Sequence, residues 1–185
     1  MGPTATPTPA PTAIPTPEPT LAPAERERAV LVALYEATAG SDWTDSTGWL
    51  SDAPVGEWHG VTVDDDGLVT QLSLLENGLT GQIPASLGEL YNLRHLDLGQ
   101  NQLSDELPST VGNLSGLVRL DLAQNQLSEE VPAELGKLSN LESLNLGNND
   151  LTGTVPPELA ELTNLGALLL RNNQFTGDIP QELQG

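Results

Sequence analysis

The chain has 185 residues, room for one folded unit of about 100–200 residues and a tail. Twenty-six acidic residues against six basic ones leave a net charge of −20. That excludes the Lys/Arg footprint nucleic acid requires and the polybasic segment an anionic membrane attracts. The absence of cysteine removes disulfides, thiolate nucleophiles and cysteine-ligated metals, and two histidines, His59 and His95, leave little for an imidazole site. No cofactor is expected. The start carries no charged and apolar leader, and no apolar run approaches the roughly 18 residues of a spanning helix, so direct membrane insertion is not expected. Met1-Gly2-Pro3 reads as an artificial start, which leaves room for an upstream signal or anchor.

Residues 3–23 read PTATPTPAPTAIPTPEPTLAP and hold eight of the fifteen prolines. Proline removes a backbone donor and fixes φ, so residues 1–23 are expected to form a disordered, solvated linker of polyproline type. The same Thr/Pro alternation suits an O-glycosylated stalk.

Residues 24–68 read as a cap. A helix is predicted from Ala24 to Thr38, where Leu31, Leu34, Tyr35 and Thr38 share a face and Gly40 supplies a stop. All three tryptophans follow within sixteen residues, at Trp43, Trp49 and Trp58. They either seal the edge of a core or form a platform for sugar rings. A hairpin is predicted next: a Val61-Thr62-Val63 strand, an Asp66-Gly67 turn, and a strand from Val69. Asp64-Asp65-Asp66 suits turn chemistry and lacks the ligand alternation of a calcium loop.

Residues 69–185 contain an internal repeat. Asn77, Asn101, Asn125, Asn149 and Asn173 recur every 24 residues, giving five copies of which the last is incomplete. Leucine pairs precede each Asn, from Leu72/Leu74 to Leu168/Leu170, and an apolar residue stands two positions after it. Apolar–proline pairs follow, from Ile83-Pro84 to Ile179-Pro180. Alternating leucines put one side of a short strand into a shared interior, while each Asn amide bonds the backbone of neighbouring coils. No copy buries its leucines alone, so the fold class is an α/β repeat solenoid.

The frame LxxLxxLxLxxNxLTGxIPxxLGxLxN, nearly verbatim in GLVTQLSLLENGLTGQIPASLGELYN, resembles the plant-type leucine-rich repeat (LRR) family. WHGV and the Asp/Gly turn resemble the N-terminal cap of that family. The resemblance implies a horseshoe with a parallel β-sheet on its concave face, a helix-plus-hairpin cap, and a module that binds proteins. Two departures stand out. Gly56 and Val63 occupy the places of the cap cysteine pair, and the Gly of LTGxIP becomes Asp105 and Glu129 in copies two and three. A cysteine-free cap behind a Thr/Pro linker fits a bacterial surface member better than a plant receptor.

Positions 2, 3, 5, 7 and 8 of each copy are expected on the concave face. They place Arg94, His95, Asp97, Arg119, Asp121, Glu142 and Asn145 in one patch, with Leu169 and Arg171 further along. These nine are the candidate ligand-binding residues. Arginine forks beside carboxylates either recognise a polar partner or pair with each other across strands. Ser143, His95 and Asp121 are the residue types of a hydrolase triad, but Ser143 lies two strands from His95, roughly 9–10 Å away, and no catalysis is expected. Asp105, Glu106, Glu129 and Glu130 are weak candidates for a cation, against a solvated reading.

The charge is unevenly spread. The concave positions hold four acids, Glu76, Asp97, Asp121 and Glu142, and three arginines, Arg94, Arg119 and Arg171, close to balance in a chain of −20. The chain is expected to be extracellular or on a cell surface and monomeric. Its last repeat has no polar capping segment, so it either continues in a longer chain or pairs end to end with another molecule. Three functions are compatible: recognition of a protein or peptide on the concave face, a structural or adhesion spacer, or cell-wall carbohydrate binding through the Trp-rich cap.

Overall fold

The computed structural model describes residues 21–183, so the Thr/Pro linker, apart from its last three residues, lies outside the described residues. Helix α1 spans Pro23–Ala37, starting one residue earlier than predicted. Proline suits a first helical position, where its missing N–H would have no intrahelical partner. The Ala22 N–H is satisfied by Glu25 at 3.1 Å. Val30, Leu31 and Leu34 are buried, as is Glu27, a charged residue that the apolar pattern does not single out. Its Oε2 accepts the Val69 N–H at 2.6 Å, tying the helix to the first repeat.

The three tryptophans are only 2–7% exposed. Trp43 meets Trp49 at 4.8 Å between ring centroids and Trp49 meets Trp58 at 5.0 Å, while Tyr35 closes on Trp43 at 5.2 Å. The Arg28 guanidinium lies 4.8 Å from the Trp58 ring and donates to the Ser51 and Ala53 carbonyls. Carbohydrate binding through the Trp-rich cap is therefore overturned, because a sugar needs an open ring face and these are covered. They seal the end of the core. Gly56 and Val63 are neighbours in space: a Cβ on Gly56 would stand 2.8 Å from Val63 Cγ2.

Strands β1 (Val61–Val63) and β2 (Val69–Ser73) form the predicted antiparallel hairpin. Asp64 Oδ1 accepts the Asp66 and Leu68 N–H groups, which is turn chemistry. The first coil continues with β3 (Thr80–Gln82). The second carries β4 (His95–Asp97) and β5 (Gln102–Glu106), and the third β6 (Arg119–Asp121) and β7 (Gln126–Ser128). The fourth has β8 (Ser143–Asn145) and the fifth β9 (Ala167–Leu169). The main sheet runs β1-β2-β4-β6-β8-β9, parallel from β2 onward. Leu72, Leu96, Leu120 and Leu144 stand in one registered row, at most 1% exposed.

The opposite wall is built by short 3-10 turns, at Ala85–Glu89, Ser109–Asn113, Ala133–Lys137 and Pro157–Glu161. The preceding prolines are extended, and each proline carbonyl accepts the N–H three residues on, as Leu87 to Pro84 at 3.0 Å. Coils approach closely there: a Cβ on Gly112 would stand 2.4 Å from the Glu134 carbonyl oxygen.

A second parallel sheet, β3-β5-β7, was not anticipated from the repeat frame. Ser104 faces Gln126, 22 positions on rather than 24, because the shared Asn has already turned the chain. That offset corrects the acidic cation candidates. Asp105 faces Leu127 and Glu106 faces Ser128, so the four carboxylates are out of step. Asp105 Oδ2 instead accepts from Gln82 Nε2 at 2.6 Å. No group of three or more His, Cys, Asp or Glu among the described residues is placed to hold a metal ion. No described helix is long and apolar enough to cross a membrane.

Candidate functional site

The Asn ladder fixes the coils on which the site stands. Asn101 Oδ1 accepts the Asn77 and Leu79 N–H groups at 3.0 Å, and its Nδ2 donates to the Leu74, Leu98 and Gly99 carbonyls. Asn125 and Asn149 accept one N–H each, from Leu103 and Leu127, and donate in the same way, and Asn173 does so half-buried. Asn77, at the cap boundary, turns its amide to the Asp45 carbonyl. Asp45 Oδ2 also meets His59 Nδ1 at 3.1 Å, the one carboxylate contact of a basic side chain within 4.0 Å among the described residues.

Strand register then fixes the concave face. Gln71, His95, Arg119, Ser143 and Ala167 form one row, and Ser73, Asp97, Asp121, Asn145 and Leu169 form the next. Arg94 and Glu142 belong to a third row with Val118 between them, seen in the bonds Val118 N–H to Arg94 and Glu142 N–H to Val118. His95 and Ser143 are separated by β6, so they do not meet. The seven expected patch residues are thus contiguous across three strands. Leu169, 44% exposed, borders Asn145, whereas Arg171 stands on the fifth coil away from Arg94 and Arg119.

The charges are arranged differently from cross-strand pairing. No carboxylate lies within ion-pair distance of Arg94, Arg119 or Arg171 among the described residues. The carboxylates are engaged by the backbone instead: Asp97 Oδ1 accepts the Gly99 N–H and Asp121 Oδ1 the Ala123 N–H. Asn145 continues the row, donating to Asp121 Oδ2 at 3.0 Å. Burial pushes the Asp97 carboxyl up, the Gly99 N–H pulls it down, and the Asp121 charge raises it while Arg119 lowers it. The face is therefore split: an exposed basic strip, Arg94, His95 and Arg119, beside a half-buried acidic row.

A groove of about 800 Å³ runs along the edge where the strands begin. Tyr91, Arg94, Gly116, Asn140 and Glu142 are among its walls. Only Arg94 and Glu142 were expected in a site. The missed edge was present in the repeat, as Asn92, Asn140 and Asn164 with Gly116 at the second of the four places, but it precedes the strand motif.

The leucine-rich repeat region family matches residues 70–184. The chain belongs to the leucine-rich repeat family. This repeat chain is 34% identical over 80 residues to a probable leucine-rich repeat receptor-like protein kinase of Arabidopsis thaliana, a match covering 37% of this chain and 8% of the other. It spans less than a tenth of the length of the curated relatives it matches. Among solved structures, the BIR2 ectodomain of A. thaliana superposes with a TM-score of 0.78 at 32% identity, covering 86% of each chain. The GASSHO1/SCHENGEN3 receptor kinase ectodomain from the same plant was solved in complex with Casparian strip integrity factor 2. It gives 0.79 at 38% identity, over 84% of this chain and 19% of that one.

Proposed function

We propose that this leucine-rich repeat chain is a non-enzymatic recognition module, monomeric and displayed outside the cell, which binds a protein or peptide on its concave face. The observation that carries the reading is the basic strip of Arg94, His95 and Arg119, exposed and, among the described residues, without carboxylate partners, on a protein of net charge −20. Free guanidinium forks offer planar, charge-assisted hydrogen bonds to an incoming acidic group. The half-buried Asp97–Asp121–Asn145 row adds acceptors beside them. Relatives solved with protein or peptide partners support this use of the fold. A bacterial surface setting rests on the cysteine-free cap and the Thr/Pro tract. The test is affinity capture from the native surroundings with wild type and an Arg94→Glu/Arg119→Glu double variant. Partners held by wild type and lost by the variant support recognition; identical captures refute it, and a spacer without ligand predicts none.

A further inference from the structure

Three of the four equivalent edge positions carry a side-chain amide that reaches back toward the preceding element. Asn140 Nδ2 donates to the Ser115 carbonyl at 2.8 Å, and Asn164 Nδ2 to the Ser139 carbonyl at 2.7 Å, 25 positions back in both cases. Asn92 donates to Asp64 Oδ2 at 3.2 Å. The same place in the second coil is Gly116, and the carbonyl 25 positions back is that of Tyr91. No protein donor among the described residues reaches it. Gly116 has an ordinary backbone, and a Cβ built there would meet only the Leu93 oxygen at 3.5 Å and the Tyr91 oxygen at 3.8 Å. The glycine is therefore not required by conformation or by crowding. It leaves a recess one asparagine side chain wide, with an unused acceptor on its floor.

The recess belongs to the groove that Arg94 and Tyr91, the latter 58% exposed, also line. We infer that it is a specificity pocket for a primary carboxamide, the Asn or Gln side chain of an extended peptide lying across the coils. The carboxamide N–H replaces the missing amide and donates to the Tyr91 carbonyl, while Tyr91 covers its stem. A neighbouring acidic residue of the peptide faces Arg94 and Arg119, the charge complementarity that an otherwise acidic protein offers at this face. This rests on the concave-face reading and adds the side-chain class that the face selects.

The test uses a phage-displayed library of linear dodecapeptides selected on the wild-type chain, followed by affinity measurement of the recovered peptides. The expected peptides carry Asn or Gln beside Asp or Glu. Gly116→Asn should close the recess from within and weaken them tenfold or more, with an unchanged or raised melting temperature because the new amide completes the ladder. Gly116→Ala, which adds only the tolerated Cβ, should change affinity less than about threefold. Equal binding to Gly116→Asn, absence of Asn and Gln from the selected peptides, recovery of no peptide, or a lowered melting temperature of Gly116→Asn each overturns the inference. Peptides that lose affinity for Arg94→Glu/Arg119→Glu yet bind Gly116→Asn normally would leave the concave-face reading standing and remove the recess alone.

Discussion

The Asn125 side chain accepts the Leu103 N–H at 3.0 Å from one coil away, while its own amide donates to the Leu98 and Leu122 carbonyls. One buried side chain thus satisfies backbone groups of two successive coils. An apolar replacement leaves those groups without partners in the core, at about 1–3 kcal/mol for each. Asn125→Leu is expected to lose several kcal/mol in chemical denaturation, more than Asn173→Leu at the half-buried last rung. Equal losses at the two positions would contradict the coupling described.

Asp105 and Glu129 occupy left-handed backbone, with φ of 63° and 64°, where Gly81, Gly153 and Gly177 stand in the other copies. A side chain in that region costs about 1–2 kcal/mol, and aspartate tolerates it better than glutamate. Glu129→Gly is expected to stabilise the protein by about 1 kcal/mol, part of the relief being offset by the freer unfolded chain. Asp105→Gly is expected to be close to neutral, since it also loses the bond from Gln82. Denaturation midpoints of the two variants separate these outcomes.

Coil spacing on the convex side depends on a hydrogen at Gly112. The Cβ of Gly112→Ala would stand 2.4 Å from the Glu134 carbonyl oxygen, so the third coil must move. A loss of about 1–3 kcal/mol is expected, as for other overpacked contacts. Gly116→Ala, four residues on, has room and serves as the control. A neutral Gly112→Ala would show that the coils slide apart freely.

Stability should peak on the acid side of neutrality. Burial pushes the Glu27 carboxyl up, against the pull of the Val69 N–H, and the Asp64 charge adds to the rise; Asp97 is also raised, chiefly by burial. Such a group takes up its proton in the fold before it does in the unfolded chain. The fold therefore gains as pH falls from the raised value toward the usual carboxylate pKa of about 4. Asp45 and Asp64 are held low, chiefly by hydrogen bonds to Thr47 and Leu68, so what they contribute is present above about pH 4 and lost below it. The melting temperature is expected to rise as pH falls from neutrality toward about 4 and to fall below that. In Glu27→Gln the rise should be smaller, and an undiminished rise would remove Glu27 as a source.

The solenoid is legible in the repeat alone. Five asparagines at a fixed interval, with leucines in a constant frame around them, point to one arrangement, a stack of coils, and it buries the frame leucines of the first four copies. The repeat also determined which residues share the concave patch, because parallel strands in a constant repeat carry equal positions into equal rows. How those residues use their charges emerges only once the coils are stacked. Asp97 and Asp121 accept N–H groups from Gly99 and Ala123, a local loop geometry that leaves the arginines without ion-paired carboxylates among the described residues, and no spacing rule contains it. The 22-residue stagger of the second sheet, the burial of Glu27 against Val69 and the covering of the tryptophan faces have the same origin. Each depends on how one coil settles against the next, a distance set by packing rather than by order along the chain.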